Sequence, residues 1–234
     1  MQLTRVVVLG ATILTLVAAC WLTGCGGKTE LPAASIDAAN PAETVESTSP
    51  AVTPTAAKRP APKPVDPVVV LHTSLGDVQL QLFIEKAPQS VDNFLANYAR
   101  RGFYNDTVFH HIEAGSMVIA GGYTADLQAK ETRYPVLNEA NNGLLNKRGA
   151  VALIREPSLP HSATSQFFIN VADNPTLDYQ SDETGEGWGY CVFGQVIAGM
   201  DVVDKIAQCD VGPQGDFSKV PREPVIIRSV EQIK

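Results

Sequence analysis

Cysteine is scarce in the body of this 234-residue chain. Of its four cysteines, Cys20 and Cys25 fall within the first 25 residues, which leaves only Cys191 and Cys209. No CxxC pair and no metal-ligand spacing occurs among them, so a dithiol redox centre or a cysteine metal site is excluded. Cys191 lies in an apolar, strand-like run where a thiol behaves as a small hydrophobe, and the two cysteines are expected to be unpaired and largely buried. Positive charge is also in short supply: 18 Lys and Arg stand against 25 Asp and Glu, a net −7, which argues against nucleic acid as a partner. GxSxG is missing, so Ser165 has no nucleophile context. The glycine-rich ETGEGWG (183–189) lacks a following helix or lysine and reads as a loop, not a phosphate cradle. Among the histidines, His110 and His111 are strand neighbours expected to point to opposite faces, and no acidic cluster completes a ligand set with His72 and His161. His110 and His161 read as structural. No metal and no cofactor are expected.

Charge is absent from the apolar run VVVLGATILTLVAACWL (6–22), which follows Arg5 and ends in LTGC (22–25). This is the pattern of an export signal, short for a membrane span and closed by small residues, so cleavage is expected over a retained helix. LTGC resembles the lipobox of bacterial lipoproteins, whose cysteine becomes the lipidated first residue of the mature chain. VAAC (17–20) is a second match, but Trp21 is an unusual residue after the modified cysteine, whereas GGK (26–28) leads into a tether. Cys25 is therefore the expected lipidation site. The protein is expected in the cell envelope, lipid-anchored to a bacterial membrane and facing the periplasm. Loss of Arg5 with the signal leaves 17 basic against 25 acidic residues, a net −8.

Aromatic residues are missing altogether from 28–66, a segment of 39 positions with 7 Pro, 9 Ala and 8 Ser or Thr. It has too little apolar surface to offset the entropy of ordering, so 26–66 reads as a disordered spacer. Its reach is roughly 35 Å as a flexible coil and about 120 Å if its prolines hold it extended. A Pro-rich recognition motif at KRPAPKP (58–64) is the sharper but less specific alternative.

The composition changes from residue 67 to the end. VVVLHT (68–73), a turn at SLGD (74–77) and VQLQLF (78–83) read as a β-hairpin. In 87–102, Pro88 opens a helix, Val91, Phe94, Leu95 and Tyr98 recur at helical spacing, and Arg100, Arg101 and Gly102 close it. Further β-prone runs occupy 107–112, 116–120, 150–154, 166–171, 190–197 and 224–230. A second helix over 200–208 places Met200, Val203, Ile206 and Ala207 on one face. This inventory is mostly β and suits a closed barrel with helices over its open ends, because closure removes unpaired strand edges.

FHH (109–111), GSMVIAGG (115–122) and HSATSQFFIN (161–170) then resemble the two halves of a cyclophilin active-site face, where the family reads roughly FHR and GFMIQGG. Five strings carry the resemblance in order through 67–234: FLANYARRGFYNDTVFH (94–110), NEANNGL (138–144), HSATSQFFINVADN (161–174), GWGYCVFGQVIAGMDVVDKI (187–206) and PVIIRSV (224–230). It implies a closed eight-stranded antiparallel β-barrel, two α-helices covering its ends, and a peptide groove on the barrel's outer face. It also implies peptidyl-prolyl isomerase activity on proline-containing polypeptides, with no cofactor, and a monomer is expected.

Carried over residue by residue, Met117, Phe168 and Leu177 match the apolar slot for the proline ring, and Tyr190 stands where many members have histidine. Gln166 matches a backbone-anchoring glutamine. His111 replaces the arginine, Ser116 a phenylalanine, Ala120 a glutamine, Ile154 a small alanine, and Thr176 the aromatic beside the slot. Trp188 does not match that aromatic. Phe167 and Phe168 must split between the two faces of their strand, and the resemblance puts Phe168 in the groove.

The chemistry explains why these exchanges matter. Rotating an X-Pro bond sacrifices amide resonance, a barrier of about 20 kcal/mol, and makes or breaks no covalent bond. Catalysis needs a slot, backbone anchors and a donor aimed at the twisted amide, stabilisation confined to the transition state. Arginine supplies a permanently charged fork. Imidazole is shorter and only partly cationic near neutrality, and losing a charge-assisted donor costs about 2–4 kcal/mol, or roughly 10²–10³ in rate. Two functions follow: an isomerase of reduced activity, or a non-catalytic module that binds proline-containing segments of envelope proteins.

Overall fold

The computed structural model describes residues 64–234. The leader, Cys25 and the spacer up to residue 63 lie outside the described residues. Asp66, placed in the spacer by composition, belongs to the folded unit: its carboxylate accepts from Gln81 Nε2 (3.1 Å) and from the Ile84 N–H (3.2 Å).

The valine-rich start forms β1 (Val68–Thr73), and β2 (Gly76–Leu82) returns antiparallel to it. Thr73 closes the turn, its hydroxyl donating to the Gly76 carbonyl (2.6 Å) and accepting from the Leu75 N–H (3.1 Å). The expected helix is present but changes pitch. α1 (Pro88–Asp92) runs into a π-helical stretch (Asn93–Tyr98) and a 3-10 turn (Ala99–Arg101), ended by Gly102 at φ +65°. Its first N–H groups have no cap of their own. Glu139 supplies one from a distant segment, accepting from the N–H groups of Gln89 (3.1 Å) and Ser90 (2.8 Å), where a carboxylate suits the positive end of the helix.

Then come β3 (Thr107–Glu113), β4 (Met117–Thr124), β5 (Ala150–Leu153), β6 (Phe167–Asn170), β7 (Val192–Ala198), α2 (Met200–Ala207), β8 (Val211–Gln214), β9 (Phe217–Pro221) and β10 (Ile226–Gln232). Eight strands close a barrel in the order β1-β10-β3-β4-β6-β5-β7-β2, every neighbouring pair antiparallel. These are the eight strands expected. The interior is filled by alternate residues such as Leu71, Val78, Leu80, Phe109, Ile112, Val118 and Ile169, with Phe94 of the first helical segment packed against Tyr104, Phe167 and Phe193. Val202, Val203 and Ile206 bury α2 against the barrel. Among the described residues no helix is long and apolar enough to cross a membrane.

β8 and β9 form a separate two-stranded sheet that the sequence did not suggest, since Gly212, Pro213 and Gly215 interrupt it and apolar alternation is missing. Its tertiary contacts hold it: the Phe217 ring packs edge-on against Tyr123 (4.9 Å) and His110 (5.9 Å). Cys191 is buried and Cys209 half-buried, both free, so the second thiol is less covered than expected.

Candidate active site

Strand register assembles the site. His111 on β3 lies opposite Ile119 on β4, Ile119 opposite Phe168 on β6, Phe168 opposite Ala152 on β5, and Ala152 opposite Val192 on β7. Directly opposed residues share a face, so this row crosses five strands on the outside of the barrel. A second apolar cluster, separate from the interior, forms around it. Ala150, Ala152, Phe168 and Val192 are buried, with Met117, Ile119, Leu144, Ile154, Leu177 and Tyr190 packed over them. Five residues assigned to the slot therefore meet: Met117, Phe168, Leu177, Tyr190 and Ile154. Phe168 forms the floor, only 1% exposed, and Tyr190 stands edge-on to it at 5.7 Å. Ile154 packs against that cluster as well. A cavity of about 340 Å³ opens beside the patch, sharing Leu144, Ala150 and Val192 with it. A larger one of about 490 Å³, near Pro88 and His161, includes none of the assigned groove residues.

Ala120 corrects the sequence reading. It is 0% exposed and belongs to the barrel interior, whereas Ile119 packs with the outer cluster. Alternation along β4 requires this, since Met117 and Ile119 share one face and Val118 and Ala120 the other. Matching the family string back from Gly122 puts its glutamine at Ala120, while counting forward from Gly115 puts it at Ile119, and burial decides for Ile119. The groove thus carries an aliphatic side chain opposite His111. Period-2 counting from Met117 could have found it.

Two other assigned positions lie at the edge. Ser116 is tied into the turn after β3, its hydroxyl donating to Asn174 Oδ1 (3.1 Å) and its carbonyl accepting from the Val171 N–H (2.8 Å). Thr176 is exposed in a 3-10 turn (Pro175–Leu177) and adds nothing to the apolar wall. Trp188 packs against His161 (4.9 Å) and Tyr179 (5.8 Å), away from the slot cluster. His161 is structural as expected, its Nδ1 accepting from the Asn138 N–H at 3.1 Å.

The two adjacent histidines do not alternate as expected. Register steps from Phe109 opposite Ala120 to His111 opposite Ile119, so β3 advances two residues while β4 advances one, and His110 is the bulged residue. It is 4% exposed and packs edge-on to Tyr123 at 4.6 Å. Burial pushes its imidazole down to about 4, helped by the nearby His111 and opposed by the Val108 carbonyl and the Gln166 side chain. His111 stays half-buried, its Nε2 lying 3.7 Å from Glu113 Oε2. Glu113 is also paired with Lys219 of β9, and the hydrogen bond from that ammonium is the main cause holding its carboxyl below the usual carboxylate range. The β8–β9 sheet thus delivers a cation beside the candidate donor, an arrangement no local signal announced.

Gln166 sits just before β6 and is half-buried, its side chain laid against the β4 backbone. A Cβ on Gly122 would stand 2.7 Å from Gln166 Cγ, so a glycine there is what lets the glutamine lie flat.

A barrel with its apolar slot outside and a histidine, a glutamine and a tyrosine around it agrees with the comparisons to known proteins. Residues 68–232 match the family model described as cyclophilin type peptidyl-prolyl cis-trans isomerase/CLD. The chain belongs to the cyclophilin family. It is 51% identical over 163 residues to peptidyl-prolyl cis-trans isomerase B of Escherichia coli (strain K12), covering 70% of this chain and 98% of that protein. It is 48% identical over 166 residues to peptidyl-prolyl cis-trans isomerase A of Dickeya dadantii, covering 71% and 84%. A solved cyclophilin type peptidyl-prolyl cis-trans isomerase of Cryptosporidium parvum superposes with a TM-score of 0.58 at 23% identity, over 72% of this chain and 98% of that one. This last likeness bears on the cyclophilin fold alone.

Proposed function

We propose that the protein is a peptidyl-prolyl cis-trans isomerase acting on exported polypeptides, tethered to the membrane through a lipid on Cys25 and working at a reduced rate. The observation that carries the catalytic reading is the register row that sets His111 across from Ile119 and Phe168, an imidazole donor at one end of an outward apolar slot. The tether reading is supported by the leader and spacer sequences, and family membership supports the reaction.

The slot buries the proline ring against Phe168, Met117, Leu177 and Tyr190, and Gln166 anchors the flanking backbone. His111 donates toward the amide as it twists and its nitrogen gains a lone pair. Burial of the ring stabilises the ground and transition states alike, so rate depends on the donor, and imidazole is the weaker donor. Ile154 over the floor and Ile119 opposite His111 favour the second reading, a binding module with little turnover.

Exchange NMR on an Ala-Pro peptide separates the two. Saturable acceleration of cis-trans exchange is expected. Peptide binding with no rate above background at high protein concentration rejects catalysis and leaves the binding module, and absence of binding rejects both.

A further inference from the structure

Arg155 directly follows the slot residue Ile154, and it is 6% exposed. Its guanidinium donates to four main-chain carbonyls: Nε to Gly189 (2.7 Å), Nη1 to Glu156 (2.9 Å) and Pro157 (2.8 Å), and Nη2 to Gly185 (2.8 Å). No ion pair to a carboxylate joins it among the described residues. Its Cζ lies 4.8 Å from the ring centroid of Tyr190, whose edge-on contact with Phe168 forms the slot. Floor, wall and backing thus stand in sequence as Phe168, Tyr190 and Arg155.

Desolvating a charge is costly, and a hydrophobic residue of similar size would fill this space without that cost. What such a residue could not do is hold carbonyls from both the 156–157 and 185–189 segments while presenting a plane to an aromatic ring, which the arginine fork does. The bond to Gly189 acts on the peptide leading directly into Tyr190. Gly189 is packed closely: at φ +57° a Cβ there would fall 2.5 Å from the Asp178 main chain, so no side chain fits. The Tyr190 N–H in turn donates to the Leu177 carbonyl at 2.8 Å, linking two slot residues.

We propose that Arg155 is a positioning residue for the proline slot, acting through Tyr190: it fixes the ring that walls the slot before substrate arrives and so sets peptide affinity and not the barrier to rotation. The proposal rests on reading the Phe168–Tyr190 face as the slot. A wall that must be ordered on binding weakens affinity, whereas a preordered one does not. Uniform loss of ring burial raises KM and leaves kcat nearly unchanged.

The test is a double-mutant cycle on the full chain with Arg155→Met, Tyr190→Ala and the pair, read by NMR titration and exchange with an Ala-Pro peptide. Arg155→Met is expected to weaken peptide affinity about fivefold to tenfold, to leave kcat within about twofold, and to have no further effect in the Tyr190→Ala background. Arg155→Lys keeps the cation but loses the fork and the stacking plane, so its affinity is expected to resemble the methionine variant. Should the methionine protein fail to fold, the same cycle runs with lysine. Additive losses, or unchanged affinity in a folded variant, overturn the proposal. If the wild type binds without turnover, the cycle on affinity still decides the role of Arg155 while the catalytic reading falls. If it does not bind, the Tyr190 ring-proton shifts decide without peptide: they are expected to move toward averaged values in Arg155→Met, and wild-type shifts there overturn the proposal.

Discussion

Glu113 Oε2 lies 3.7 Å from Nε2 of His111, two residues apart along one strand face, so the candidate donor has an acidic neighbour. The pairing with Lys219 holds Glu113 ionised below the usual carboxylate range. Lys219 thus ties the carboxylate that flanks His111 to the β8–β9 sheet.

His111→Ala is expected to lower kcat/KM about tenfold, since it removes the donor assigned to the twisting amide. A smaller loss is expected in Glu113→Gln, which removes the carboxylate lying 3.7 Å from the imidazole Nε2. His111→Arg is expected to raise the rate by about tenfold or more, since a charged, planar fork is the stronger donor. Exchange rates of the three variants at one pH check this, and an unchanged rate in His111→Ala sinks the role given to His111.

The placement of Ile119 outside and Ala120 inside makes two neighbouring substitutions behave oppositely. Ile119→Gln puts a polar side chain on the groove face opposite His111 and is expected to raise kcat/KM with little loss of stability. Ala120→Gln forces a longer polar chain into the barrel and is expected to cost about 3 kcal/mol or more. Urea unfolding together with exchange rates measures both.

Gly122→Ala is expected to displace Gln166, because the added methyl would meet Cγ at 2.7 Å. The expected result is a drop of about tenfold in peptide affinity with a smaller effect on stability. Combined with Gln166→Ala the effect should vanish. Full additivity in that pair would show that Gly122 matters for the barrel and not for the anchor.

His110 gives the fold its own acid sensitivity. Its folded-state imidazole titrates at about 4, below the roughly 6.5 of an exposed histidine, so between those values the unfolded chain binds more protons. Stability from this group is complete above about pH 6.5, declines as pH falls toward 4, and changes no further below it. The span amounts to roughly 3 kcal/mol. His110→Phe, which keeps a ring against Tyr123 and Phe217, should flatten that part of the stability profile in denaturant titrations.

Much of the barrel was legible because its signals are local. The 68–83 hairpin, the apolar runs that became eight staves and the helical spacing of Val91, Phe94, Leu95 and Tyr98 each follow from alternation or 3.6-residue periodicity. The slot residues Met117, Phe168, Leu177, Tyr190 and Ile154 were legible through the family resemblance, and alternation already separated Phe168 from Phe167. Ala120 was misplaced because a string match slides by one where glycines repeat, and a one-residue slip exchanges the faces of a strand. The bulge at His110 was invisible for a related reason: it depends on how β3 and β4 pair, not on β3 alone. The change of helical pitch after Asp92 leaves no mark in the apolar pattern either.

By itself the sequence determined the folded element types, the family and the apolar character of the slot, because periodicity and burial are written in neighbouring residues. Only the tertiary structure decided which residue faces His111, that Lys219 stands behind Glu113, that Glu139 caps a helix begun fifty residues earlier, and that Arg155 backs Tyr190. Those contacts join segments far apart in the chain, and their geometry is set by barrel closure and strand register, which no local stretch encodes.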